Sequence, residues 1–219
     1  GLFLPALQGS PLDMHLGEWV IRTALAQAEA WRLEGKPVAI SVNVSACHLL
    51  DQHFPEWLGG CLARYPDLPP ASLELEILES VAIDDMARAI QVLRQCRKLG
   101  VHFALDDFGT GYSSLTYLRQ LPVDTLKIDQ TFVRNMLHDG DDLGIVEGVI
   151  RLAETFDREV VAEGVETLEH ARQLRRMGCR FGQGYGIGRP MPAQELPIWL
   201  ESWRQQSPAL HLEASGQPR

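Results

Sequence analysis

The sequence predicts an α/β protein in which a parallel sheet carries its helices on the outside. Three observations predict it. Short β-branched runs alternate with segments of 3.6-residue apolar periodicity along most of the chain. The β-α units recur about every 25–35 residues, the spacing of a parallel crossover. Nearly every strand ends in a polar residue able to bind a cation or move a proton, and the carboxyl ends of parallel strands open on one face.

The elements follow in order. Leu16, Trp19, Val20, Ala24, Ala28 and Trp31 put one apolar stripe on a first helix. Strands are predicted at residues 38–44 and 73–77. Met86, Ile90 and Leu93 mark a helix that stops at Gly100, a residue suited to the position after a helix end. Further strands fall at residues 101–105 and 125–128. Asp142 is placed to cap a helix carrying Val146, Val149, Leu152 and Phe156. A strand at 160–162 precedes a helix with Leu168, Ala171 and Leu174 that ends at Gly178. A last strand lies near 181–185 and a last helix around 196–203. Nothing inside the chain reads as a linker, so one domain is expected over residues 1–204. Residues 205–219 have no period and read as a disordered tail. A closed (β/α)8 barrel needs eight strands and roughly 250 residues. With six strands, an open doubly wound sheet and a barrel lacking its first two strands both fit.

Composition narrows the function. The chain has 219 residues, 45% hydrophobic and 22% charged, which excludes disorder, collagen-like repeats and coiled coil. Its net charge of -9, from 29 acidic against 20 basic residues, argues against sequence-blind nucleic-acid binding, which needs basic surface. A phosphate-bearing ligand stays open, because bound cations reverse the local sign. No apolar run approaches the ~18 residues of a membrane span. Residues 1–7 lack the basic start of a signal peptide. The first residue is Gly, which is read as a cut from something longer. Cys47, Cys61, Cys96 and Cys179 have no paired spacing and fit a reduced, cytoplasmic protein.

The strand ends gather the chemistry. They supply Asn43 in SVNVS, Glu76 and Glu79 in ELEILES, and Asp106 with Asp107. The later ones supply Lys127 and Asp129 in LKID, Glu163 and Glu166 in VAEGVET, and Gln183 in GQGYG. Carboxylates converging on one mouth repel one another, and divalent cations remove that penalty. Oxygen donors from Asp, Glu and Asn suit Mg²⁺ or Mn²⁺ and not Zn²⁺. Adjacent Asp106 and Asp107 can serve two ions about 3.5–4 Å apart, the geometry of a two-metal phosphoryl transfer. Lys127 is placed to orient or help deprotonate an attacking water. Each acid taken alone reads equally well as a helix cap, and Glu166 is read as the start of the next helix. Asp107-Phe108-Gly109 has no Gly-rich loop or HRD sequence beside it, which rejects a kinase. Gly109 and Gly111 are read as a sharp bend, His138-Asp139 as a polar turn, and Trp19 and Trp31 as core.

The same segments carry a family resemblance. DDFGTGYSSL from Asp106, LKID from Leu126, VAEGVET from Val161 and GQGYGIGRPMP from Gly182 resemble the EAL phosphodiesterase domain of bacterial cyclic-di-GMP signalling. SVNVS and ELEILES match in the same order. The resemblance implies a TIM-like (β/α)8 barrel with one strand reversed, here lacking its first strands. It implies hydrolysis of cyclic di-GMP to linear pGpG with Mg²⁺ or Mn²⁺, two ions, and inhibition by Ca²⁺. By motif, Asn43, Glu76, Asp106, Asp107, Glu163 and Gln183 hold metal. Lys127, Glu163 and Asp129 lie at the water and the scissile phosphate. Glu79 anchors the loop after Asp107, which the family uses in homodimerisation and in coupling to GGDEF or sensor domains of the parent protein. Two departures stand out. The Glu-Ala-Leu signature is absent, since its strand would precede residues 1–18, and Leu78 replaces the usual Thr. A cyclic-di-GMP receptor without catalysis is the competing reading. An enolase-like lyase with Lys127 as base is a third.

Overall fold

The computed structural model describes residues 11–79, 85–110 and 115–206. The expected tail therefore lies outside the described residues from 207 on, as do residues 1–10 and Gly111.

Helix α1 (Pro11–Leu33) buries Ile21, Ala24, Leu25, Ala28 and Trp31. Trp19 is a correction, because it is 60% exposed. At 3.6 residues per turn it stands about 200° round the helix from Ile21, so it faces solvent. Strand β1 (Ile40–Asn43) follows, then α2 (Ala46–Leu49) and α3 (Phe54–Leu62). Strand β2 (Leu73–Leu78), α4 (Met86–Arg97), β3 (His102–Phe108) and α5 (Leu115–Gln120) come next. The chain continues through β4 (Thr125–Ile128), α6 (Gln130–Asn135), α7 (Gly140–Thr155) and β5 (Glu159–Glu163). It closes with α8 (Leu168–Arg176), β6 (Phe181–Gln183) and α9 (Leu196–Gln206).

Strand order is β1-β2-β3-β4-β5-β6 with every pair parallel, and the sheet curls into a half-barrel. A doubly wound sheet reverses direction at a switch point. This sheet does not, so of the two architectures left open by the sequence the barrel type is the observed one. The interior strands are buried on both faces: one face is apolar, with Leu75, Ile77, Phe103, Leu105, Leu126 and Ile128, and the other carries Glu76, Ala104, Thr125 and Lys127. Burial on both faces is what helix-covered parallel strands require.

Gly100 and Gly178 have φ of 91° and 93°, the left-handed conformation that ends α4 and α8. Helix α7 corrects the expected cap. Asp139, not Asp142, accepts from the N–H groups of Asp141 at 2.8 Å and Asp142 at 3.2 Å. The helix starts three residues earlier than a cap at Asp142 would give, and Asp142 sits in its first turn. Strand β6 ends at Gln183, short of the expected 185, because the chain turns at Gly184: the N–H groups of Ile187 and Gly188 both donate to its carbonyl. The four cysteines are free, and burial pushes the Cys96 thiol up to about 12 and Cys179 up to about 11. No helix among the described residues is long and apolar enough to cross a membrane.

Replacing Asp139 with Ala leaves two N–H groups of α7 without a partner. Chemical denaturation should report a loss of about 0.5–2 kcal/mol for Asp139→Ala. Asp142→Ala should cost clearly less.

Candidate active site

Side chains two apart on a strand share a face. Glu74 and Glu76 on β2 and Thr125 and Lys127 on β4 are such pairs, and they meet across the buried methyl of Ala104 on β3. Glu74 accepts from Thr125 Oγ1 and from Ser41 Oγ, each at 2.9 Å. One layer higher, Lys127 Nζ lies 2.9 Å from Glu76 Oε1, 3.0 Å from Asp106 Oδ1 and 2.7 Å from Glu163 Oε1. Lys127 is 3% exposed. Burial on its own would favour the neutral amine, but hydrogen bonds to Glu163 and Glu76 and the charges of Glu76 and Asp106 reverse this and hold it as ammonium. An ammonium held this firmly donates and does not accept. That is the wrong state for the lyase reading, in which Lys127 is the base.

Neighbouring residues on a regular strand point to opposite faces. Asp106 and Asp107 avoid this through an irregularity. Leu105 pairs with Leu126 and Phe108 with Ile128, so β3 carries one residue more than β4 in that interval. Asp107 takes a φ of 55°, a conformation uncommon outside glycine. A bulge of this kind re-aims a side chain next to a site. As a result, single oxygens of Asp106, Asp107 and Glu163 lie within 4.8 Å of one another. Beyond the bulge, Gly109 N–H donates to Glu79 Oε2 at 3.2 Å, and Glu79 is buried.

Asp107 is pushed up to about 6, first by burial, then by the charges of Asp106 and Asp129, a hydrogen bond with Asp129, and Glu163. Burial likewise raises Glu163, more than its Lys127 partner lowers it. Asp129 has two roles in the geometry, since it also accepts from Thr131 N–H at 2.8 Å and caps α6. Asp106 Oδ1 is buried and forms an ion pair with Lys127 Nζ at 3.0 Å, but among the described residues no group meets it with hydrogen-bond geometry. Buried polar atoms are normally satisfied. A buried carboxylate oxygen with room for a further partner, in a set of hard oxygen donors, fits a divalent cation such as Mg²⁺ or Mn²⁺.

Thus the fold brings together Glu76, Asp106, Asp107, Lys127, Asp129 and Glu163. Asn43 stands in register with Glu76, and Gln183 with Glu163, so both flank the cluster on more exposed strands. Glu163 and Gln183 also line a cavity of about 150 Å³ with Gln130, Arg134, Glu166 and Tyr185. Glu166 does not begin the next helix. Thr167 caps α8, and Glu166 pairs with Arg134 at 2.8 Å on the surface. Sequence reasoning gave no role to Arg134 or Tyr185, since α6 is too short to show a period and Tyr185 lies in a turn.

The chain is similar to known proteins. A family model described as EAL domain matches residues 1–190. The bifunctional diguanylate cyclase/cyclic di-GMP phosphodiesterase MucR of Pseudomonas aeruginosa is 41% identical over 198 residues, covering 90% of this chain and 29% of that protein. The cyclic di-GMP phosphodiesterase PA2567 of the same organism is 40% identical over 198 residues, covering 90% of this chain and 34% of that protein. The chain thus spans about a third of the length of these relatives. A solved structure, the PaMucR phosphodiesterase in complex with c-di-GMP, superposes with a TM-score of 0.83 at 41% identity. It covers 89% of this chain and 78% of that one.

The raised Asp107 carboxyl sets a pH dependence. Its ordinary value is 3.8 and its folded value about 6, so between these the folded chain binds more protons than the unfolded one, and stability falls as pH rises. A cation at the cluster replaces the proton. Melting temperature followed from pH 4 to 8 should separate between Mn²⁺ and EDTA as the pH passes about 6, the Mn²⁺ curve lying higher. A constant separation across the range would count against a cation at Asp107.

Proposed function

Because the chain belongs to the EAL domain family, we propose that it hydrolyses cyclic di-GMP to linear pGpG with Mg²⁺ or Mn²⁺ bound at the strand ends. The observation that carries this reading is the cluster around Lys127, in which oxygens of Asp106, Asp107 and Glu163 converge within 4.8 Å of one another.

Glu76, Asp106, Asp107 and Glu163 would hold two cations, with Asn43 and Gln183 completing the set from the flanks. When bound, the cations neutralise phosphate charge and make water a better nucleophile near neutral pH. The protein's own groups do the rest. Lys127, kept as ammonium, donates a hydrogen bond to the attacking water and fixes its lone pair toward phosphorus. Glu163, with its proton affinity raised by burial, takes the proton that this water loses. The water oxygen bonds to phosphorus, the bond from phosphorus to the 3′ oxygen breaks, and that oxygen leaves with a proton from solvent. Asp129, hydrogen-bonded to Asp107, lies close to the water and the scissile phosphate in this reading.

In the same reading the chain is one module of a longer cytoplasmic signalling protein. It acts as a homodimer through the loop that Glu79 anchors after Asp107, under the control of a GGDEF or sensor domain. The chain's share of its curated relatives and the name of one of them as a bifunctional cyclase support the multidomain part of this reading.

Incubating the chain with cyclic di-GMP and Mg²⁺ or Mn²⁺ should give pGpG by chromatography. Asp106→Ala and Glu163→Ala should each slow the reaction by roughly a hundredfold or more. Unchanged turnover in the double variant contradicts these roles. Binding of cyclic di-GMP by the wild type without pGpG would make the chain a receptor.

A further inference from the structure

From Gly182 to Gly188 every second residue is glycine: Gly182, Gly184, Gly186 and Gly188. Glycine weakens a strand and adds freedom to a turn, so four of them next to Gln183 call for a local reason.

The surroundings supply one. Gln183 ends β6, and the chain then turns over the loop that leaves β5. Val165, two residues after Glu163, donates its N–H to Gln183 O at 3.0 Å and accepts from Gly186 N–H at 2.9 Å. The two segments thus stay paired beyond the last ladder partners, Glu163 and Gln183. A methyl group has no room along this contact. At Gly184 it would lie inside contact distance of Val165 N and O. At Gly186 it would lie 2.5 Å from Glu166 C and O and 2.8 Å from Thr167 N. These neighbours are backbone and cannot rotate away. Gly188 differs, because its nearest neighbour is the Trp199 ring at 3.0 Å, a side chain outside the Glu163 loop.

We propose that Gly184 and Gly186 are positioning residues. They let the chain after Gln183 lie backbone on backbone against Val165, Glu166 and Thr167, and so set the separation of the Gln183 amide from the Glu163 carboxylate across the cavity that both line. The proposal rests on the reading of these two side chains as ligands of one cation. A shape of this kind acts as hydrogen-bonded supporting groups do at other metal centres, by fixing where the donors stand before the ion arrives.

Calorimetric titration of Mn²⁺ into the chain without substrate tests it, with wild type, Gly186→Ala and Gly188→Ala compared. Gly186→Ala should weaken Mn²⁺ binding on the order of 10–100-fold, and excess Mn²⁺ should restore turnover of cyclic di-GMP. Gly188→Ala should bind Mn²⁺ as the wild type does. Unchanged affinity in Gly186→Ala, or an equal loss in both variants, overturns the proposal. Amide exchange on the wild type gives a second arm that needs no variant to fold. Val165 and Gly186 should exchange as slowly as the amides of β5, and fast exchange at both overturns the proposal. A wild type that binds no Mn²⁺ removes the metal reading itself, and the proposal falls with it, an outcome distinct from loss in the variant alone.

Discussion

One buried ammonium carries the site. Glu76, Asp106 and Glu163 all approach Lys127 Nζ within 3.0 Å, and Asp107 and Asp129 stand close behind. Without a positive charge at the centre, these carboxylates would have to take up protons or separate. Lys127 allows them to fold at one mouth before any cation is present. Its charge does not balance theirs, and the residue of that imbalance is visible in the raised Asp107 and Glu163 carboxyls. The same imbalance suits the cluster to a divalent cation.

The backbone arranges what the charges then hold. Parallel winding delivers the ends of six strands to one face. The small side chain of Ala104 lets β2 and β4 reach one another across β3. The bulge at Asp106 and Asp107 turns two neighbours toward one place, at the expense of a left-handed Asp107. Backbone strain of this sort persists only where the surroundings over-determine it. Here the Gly109 hydrogen bond to Glu79 and the pairing of Phe108 with Ile128 fix the far side of the bulge.

Much of this could be read from the residues. Strands such as 125–128 and the residues at their ends were legible because one buried face admits only aliphatic residues such as Leu126 and Ile128, while the polar groups collect toward the mouth. Helix stops at Gly100 and Gly178 were legible because so few residues tolerate a positive φ. Other features were hidden for physical reasons. Two successive Asp residues do not announce a bulge, since only the register with β4 defines it. Asp139 looked like part of a turn because its helix opens with Gly140 and two more acids, with no apolar position to mark the first turn. Helices α2, α3, α5 and α6 have no sequence signal: α3 contains Pro55, Gly59 and Gly60, and the other three span less than two turns. Trp19 joins the apolar stripe by its spacing, but the buried face is centred on Ile21 and Leu25, which leaves Trp19 in solvent. The ammonium state of Lys127 depends on three partners from three strands, which no local pattern reports.

The central claim is that Lys127 is the charge around which the carboxylates fold. Chemical denaturation of Lys127→Met, in EDTA and then in Mn²⁺, measures it most directly. In EDTA the variant should be less stable than the wild type by about 3–5 kcal/mol, the range for removing one partner of a buried ion pair. Mn²⁺ should recover most of that loss, because the cation takes over the neutralising role. A variant as stable as the wild type in EDTA would contradict the claim.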